Sequence, residues 1–454
     1  MIDSRTPGAA LSARALASAL AMALAAATLP AQEPAAARTG HRMDLGEEDV
    51  ADAPPEFRGA EAPPLSRLLE LARERSPRLA AAAARAVGSS REIEAAGALD
   101  DPMFGTRLAN AGFDRWTVGE VEMSMIELEV RQNLPWPGNR RGRRELASAE
   151  AAAVEVEAVA VDRALEREVS ETYARLYALD QRLARLDDAH ELMEVLVAAV
   201  DLRFGAGESG AAEALAMRLD LSAHDAEREA VAAERDAVAA RLREALALPA
   251  GTPIGLVRAL PAATPPPADF VKLAPRVAPA ALAAEARTLA ATRRAELAKL
   301  ELRPELSVAA GVGWRDGLDP LVFAGAGVEL PLFRARRERP RVDAAIDEAA
   351  AVGSDAHALR LALRAEAEAL VAAWRRLERR RALYDEALLP QSSAAFDAAR
   401  AAFLAGDREL ASLLDALERW LEVRIERAEI EADRFAVGAA VAALIGPGPT
   451  GELP

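Results

Sequence analysis

His190 stands among Asp187, Asp188 and Glu191, and Met103, Met123 and Met125 gather in one stretch of chain. Imidazole, carboxylate and thioether are donors that hold transition metals, thioethers favouring the softer ions. The spacing argues for plainer roles. His190 occupies a heptad-seam position, where a histidine packs between helices, and His224 and His357 read as solvated helix residues. The methionines flank strands, where they serve as flexible apolar filler. No His or carboxylate spacing makes a closed metal site, and no Walker loop, HExxH or nucleophile elbow is present. "GAGESG" follows a helix, not a strand, so its glycines form no phosphate loop. With no cysteine, thiolate metal sites, disulfides and a lipid-bearing Cys are excluded. The chain is read as a non-enzyme without a cofactor.

The elements that must position these residues are long. No Gly or Pro interrupts Arg143 to Phe204. Positions 165, 169, 172, 176, 179, 183, 186, 190, 193, 197 and 200 step alternately by four and three, and nine of them are Leu, Val or Met. That is the seam of helices packed as coiled coils. At 1.5 Å per residue the run spans on the order of 90 Å, which belongs to a tube or a stalk. In the second half, Gly353 and Pro390 predict a kink or break in the matching helix.

The chain is written twice. Ser76-Pro77, Asp101-Pro102, Leu134-Pro135 and Phe204-x-x-Gly207 return in order as Ala278-Pro279, Arg303-Pro304, Leu330-Pro331 and Phe403-x-x-Gly406. Each is displaced by about 200 residues. The expected plan is a signal peptide at 1–31, an unstructured Pro-rich acidic leader at 32–64 and a first repeat at 65–248. A Pro-rich connector at 249–278, a second repeat at 279–445 and a tail at 446–454 follow. Each repeat holds a helix, a strand pair and a long helical hairpin. The strands are expected near 103–110, 125–134, 305–315 and 321–331, and the hairpin tips near 204–210 and 403–409. The signal reading rests on Arg5 and Arg14 ahead of an apolar run from Ala15 to Leu29. Lys plus Arg number 56 against 72 Asp plus Glu, a net charge of −16 that argues against nucleic acid as a partner.

Ile126, Leu128 and Val130 alternate with Glu127, Glu129 and Arg131, the period of a strand with one apolar face. Trp116, Trp136 and Trp314 mark strand ends, as interfacial aromatics do. Four strands cannot close a membrane cylinder, because the smallest barrels need about eight. If they enter lipid, several chains must share one barrel. Alternation then stops where lipid stops, Trp136 sits at the interface, and Pro137-Gly138 redirects the chain. The arginines that follow lie on the wet side.

These features resemble the TolC-like outer-membrane efflux proteins of Gram-negative bacteria. The motifs are "QNLPWPGNRRGRRELASAE", "VELPLFRARRERPRVDAA", "LRFGAGESGAAEAL", "ALLPQSSAAF" and "AAFLAGDRELASLLDAL", and the likeness runs from about residue 65 to 445. It implies a mainly α fold with a small β part, assembled as a homotrimer. A twelve-stranded outer-membrane β-barrel would continue into a periplasmic α-helical barrel. The implied role is a passive duct fed by a periplasmic adaptor and an inner-membrane pump, with outer-membrane lipid as a further partner. "DDPMFGTRLANAGFDRWTVGEVEMSMIELEVRQNLPWPGN" looks most like the heavy-metal-efflux branch, although Asn139 stands where lysine is common. That makes metal cations the expected cargo.

Within the family the tips dock on the adaptor and form the closing iris, a role that falls here on Phe204, Gly207 and Gly406. Residue by residue, Phe403 matches the gate tyrosine, Gly406 the glycine, Arg408 the arginine and Asp415 the second acid. Ser412 replaces the first acid, and Glu213 of the first tip stands at its equivalent. Three copies would turn Asp415 into a carboxylate ring that attracts cations. The competing reading is a soluble periplasmic coiled-coil protein, structural or adaptor. An adaptor, however, carries one hairpin flanked by β domains and not two full copies.

Overall fold

A computed structural model describes residues 55–112, 116–207, 210–330, 333–405 and 410–446, all within the unit Val50–Pro454. The expected signal segment, most of the expected leader and all but the first residue of the tail lie outside these residues. Among the described residues the first repeat contains α1 (Leu65–Arg75), α2 (Pro77–Ala96), β1 (Met103–Ala109), β2 (Met125–Leu134), α3 (Asn139–Gly205) and α4 (Ala211–Ala245). The connector contributes α5 (Phe270–Val277). The second repeat contains α6 (Pro279–Leu300), β3 (Glu305–Arg315), β4 (Leu318–Glu329), α7 (Glu338–Leu383), a π-helical turn at Tyr384–Leu388, α8 (Leu389–Leu404) and α9 (Leu410–Ile445).

Local chemistry sets the ends of the elements. Ser76 caps α2 by accepting from the Leu79 N–H, and Pro77 fills the first turn, where a missing N–H costs nothing. The 67 residues of α3, roughly 100 Å of rod, start behind Gly138. Its φ of +105° is left-handed, a backbone that only glycine adopts readily. At the far end the Ala206 N–H returns to the Leu202 carbonyl and Gly207 turns the chain with φ +75°.

α3 is the axis of packing, touching α1, α2, α4, α6 and α9. Its seam residues Leu165, Val169, Leu176, Leu179 and Leu186 meet Val231 and Leu242 of α4 and Phe435 of α9 in the largest core cluster. Phe57 and Leu68 belong to the same cluster. Residues 55–64 therefore depart from the expected unstructured leader. Phe57 is buried, and Glu61 bridges to Leu256 of the connector. The connector is likewise more than a linker, since Phe270 of α5 is sealed against α6, α7 and α9.

The second long helix departs from its expectation at one point. α7 runs unbroken through Gly353, which faces open space apart from Thr288. The irregularity appears only ahead of Pro390, as the π turn 384–388. A proline cannot supply an N–H, and a widened turn absorbs the fault without ending the helix.

The four strands form one antiparallel sheet in the order β1-β2-β3-β4. The seam between repeats is β2 against β3, with Leu134 opposite Leu306 and Ile126 opposite Trp314. β4 begins at Leu318, three residues before the expected 321, after a register shift between Gly313 and Arg315. Among the described residues the outer edges of β1 and β4 have no strand partner.

Candidate functional site

Register converts the two-residue period into two faces. Phe104 and Leu108 of β1 share a face with Ile126, Leu128 and Val130 of β2. Leu306, Val308, Ala310 and Val312 of β3 continue it, and Val322, Ala324, Ala326 and Val328 of β4 complete it. Nothing among the described residues covers this face: Val322 is 82% exposed and Phe104 69%. An apolar surface of that extent marks a membrane or protein contact.

The opposite face carries Arg107, Glu127, Glu129, Arg131, Asn133 and Ser307, with Gly105, Gly311, Gly313, Gly325 and Gly327 between them and Met103, Met125, Leu321 and Phe323 toward its margins. Arg107 Nε donates to Glu127 at 2.7 Å and Arg131 Nε to Glu129 at 2.9 Å. The glycines keep room for neighbours. A Cβ at Gly313 would come within 2.4 Å of the Met125 sulfur, and one at Gly327 within 2.6 Å of the Ser307 hydroxyl. At the far end of the sheet the β1–β2 loop and the β3–β4 turn pack together. Arg315 donates to the carbonyls of Glu122 and Asp319 there. At the near end the corner residues Trp136, Pro137 and Gly138 lead directly into α3, with the Asn139 N–H bonded to the Trp136 carbonyl.

The helices end in a tip with its own core: Met193, Leu196 and Val200 of α3, Met217 of α4, Phe396 of α8, and Leu410, Leu413, Leu417 and Leu421 of α9. Phe403 packs half-buried on this core, whereas Phe204 projects outward. Glu213 lies in the first turn of α4 and Ser412 in the first turn of α9, both half-buried. Asp415 is exposed and has no side-chain partner among the described residues. The core thus hangs Glu213, Ser412 and Asp415 on one tip without placing them in mutual contact. Gly406 and Arg408 fall outside the described residues. Above the tip, Trp420 packs on Phe396 with ring centres 5.4 Å apart and planes tilted by 35°, and carries the Arg424 guanidinium 4.0 Å from its ring centre. Burial, and then the charge of Arg185, draw Arg424 below the usual guanidinium range.

Two features escaped the sequence reading. Asp220 and Glu227 of α4 face Glu418, Glu422, Glu426 and Glu429 of α9 across a groove of about 500 Å³. Their spacing of seven, and of four, four and three, was legible as a stripe, but attention to the apolar seam passes over it. The second is His224. It is buried and not solvated, with Nε2 2.8 Å from the Leu186 carbonyl, and its ring lies 6.3 Å from that of His190. His190 Nδ1 approaches Asp225 at 3.0 Å without hydrogen-bond alignment. Among the described residues no group of three or more His, Cys, Asp or Glu is arranged to hold a metal ion. None of the described helices is long and apolar enough to cross a membrane.

No family model matches the sequence, and no curated protein does. Solved structures do match. The outer membrane protein VceC from Vibrio cholerae is 18% identical with a TM-score of 0.70, covering 84% of this chain and 96% of that one. The outer-membrane channel OprN is 20% identical with a TM-score of 0.70, covering 85% and 90%. The Campylobacter jejuni CmeC outer membrane channel is 14% identical with a TM-score of 0.73, covering 84% and 85%. At such identities the likeness is one of fold, and it spans nearly the whole length of each. A mostly helical chain with one small antiparallel sheet thus has the fold of the TolC-like outer-membrane channels that its sequence resembles.

Proposed function

We propose that three copies of this chain close into a twelve-stranded outer-membrane barrel continued by a periplasmic helical barrel. The assembly would be a passive duct, not an enzyme, at the outer end of a tripartite efflux system. The observation that carries this reading is the sheet, with one uncovered apolar face across all four strands and both outer edges unpaired. In lipid each unsatisfied edge group costs several kcal/mol, so the sheet is stable there only if β4 of one copy pairs with β1 of the next. Three such sheets close a cylinder with the apolar face outward and the Glu, Arg and Gly face toward water. A soluble coiled-coil protein would leave that apolar face in water with nothing against it.

Two finer assignments rest on the family resemblance. The tips, through Phe204, Gly207 and Gly406, dock a periplasmic adaptor that connects to an inner-membrane pump. Phe403, Arg408, Ser412, Glu213 and Asp415 shape the constriction, where symmetry makes Asp415 a ring of carboxylates. Heavy-metal cations are the proposed cargo. The acidic net charge of the chain and the resemblance to the metal branch support that choice.

The test is reconstitution of the full chain from detergent into planar bilayers, with its mass measured beforehand. A trimer that forms cation-preferring pores supports the proposal. A water-soluble monomer without pore activity defeats it.

A further inference from the structure

The wet end of the sheet holds a concentration of positive charge that does not fit an acidic chain. Four arginines fall between Asn139 and Glu145, and five between Phe333 and Val342, with Glu338 the one acid among them. The sheet brings the two groups to one level. Leu134 at the end of β2 pairs with Leu306, and Glu329 at the end of β4 pairs with Glu305, so both strands leave the sheet at the same end. Each is followed within a few residues by its arginines. Both groups then flank the end of α6. A Cβ at Gly142 would touch Leu297 and Leu300 at 3.2 Å. A cavity of about 500 Å³ joins Glu301, Arg303, Glu305 and Glu329 to Arg337, Glu338 and Arg341. Carboxylates thus share its walls, and the arginines without a carboxylate partner among the described residues lie mainly around its rim.

Elsewhere many arginines are matched with acids of neighbouring helices, as in Arg287–Glu157, Arg294–Glu150 and Arg360–Glu285. Others, such as Arg91, Arg241 and Arg375, form no ion pair among the described residues, so the belt is distinguished by its concentration of arginines. In this belt Arg141 pairs with Glu145, and Arg140 donates to the Gly97 carbonyl. Arg143, Arg144, Arg334, Arg336, Arg339 and Arg341 have no carboxylate partner among the described residues, and all but the half-buried Arg143 are exposed. The arginines of the first group also crowd the N-terminal turns of α3, the end of the helix dipole that favours anions. Six guanidiniums thus stand without an ion-pair partner among the described residues, five of them open to an outside anion.

Position indicates which anion. Leu330 and Phe333, 59% and 74% exposed, separate the apolar face of the sheet from the arginines. Such a sequence of apolar wall, apolar anchor and basic belt follows the order of acyl chain, glycerol and phosphate in a leaflet. We propose that this belt binds the headgroups of anionic phospholipids in the leaflet facing the helices. Guanidinium forks would grip the phosphodiesters and fix the depth of the barrel. The inference rests on the reading that the sheet enters a bilayer.

The test compares the intact protein in nanodiscs of phosphatidylcholine alone and of phosphatidylcholine mixed with phosphatidylglycerol, counting retained lipids by native mass spectrometry. Wild type is expected to retain phosphatidylglycerol several-fold over its bulk share. The enrichment should fall toward unity in high salt and in the variant R334Q/R336Q/R339Q/R341Q. Equal retention of both lipids by a trimer that conducts in pure phosphatidylcholine overturns the belt and leaves the channel intact. Failure to insert or conduct in any bilayer overturns both. Should the quadruple variant fail to assemble, salt-insensitive enrichment in wild type or an unchanged ratio in R143Q/R144Q overturns the proposal. So does a variant that loses export in cells while keeping wild-type lipid selectivity, which would indicate an acidic protein partner instead.

Discussion

Arg235 donates from Nε to Asp180 Oδ1 at 2.5 Å, and the two side chains are only 15% and 3% exposed, the most deeply buried ion pair among the described residues. The pair also fastens the connector. A terminal Arg235 nitrogen donates to the carbonyls of Ile254 and Gly255 at 3.0 Å each, and Asp180 Oδ2 accepts the Val257 N–H at 2.7 Å. One charge pair thus locks α3, α4 and the start of the link between repeats.

Replacing Asp180 with Ala leaves a guanidinium buried without its counter-charge. The expected loss is about 3–5 kcal/mol, against at most about 1 kcal/mol for Arg175→Gln at the exposed Glu234 pair. Denaturant melts of the detergent-solubilised protein measure both. Equal losses would mean that the Asp180 pair does not hold the connector.

Adjacent residues on β4 test the proposed membrane face. Ala324 lies on the apolar side and Gly325 on the polar side, where nothing stands within 4 Å of an added Cβ. Ala324→Arg is expected to cost about 2–4 kcal/mol in a bilayer and to block assembly. Gly325→Arg should yield a trimer of normal heat stability in gel mobility. The reverse order would mean the faces are assigned the wrong way round.

Gly311 is required by a close approach. A Cβ there would meet the Leu128 carbonyl oxygen at 2.4 Å and the Phe323 ring at 2.3 Å. Gly311→Val should break the β2–β3 seam and abolish recovery of trimer from the membrane fraction. Gly105→Ala, facing open space, is the tolerated control.

At the tip, removing carboxylates should loosen the proposed constriction. Asp415→Ala, alone and with Glu213→Ala, is expected to shift reversal potentials toward weaker cation preference and to raise open probability several-fold in planar bilayers. Truncating the core beneath, Leu413→Ala, should destabilise the tip by about 2–5 kcal/mol and so open it without changing selectivity. Unchanged conductance and selectivity in the acid variants would remove both residues from the constriction.

What the sequence determined by itself were the features written in short-range periods. The alternation at Ile126 to Val130, the four-three seam along α3 and the doubled proline and glycine anchors each need only neighbours a few residues away. Tertiary structure decided the rest. Phe57 is buried because the fold carries it into the core cluster that also holds Leu176 and Phe435, and His224 is buried because α3 brings the Leu186 carbonyl to its ring. The acidic groove exists only where α4 and α9 face each other, and the arginine belt only because β2 and β4 finish at the same end of the sheet. These properties arise from residues tens to hundreds of positions apart. Which of them meet is fixed by strand register and helix packing, and neither has a local period to announce it.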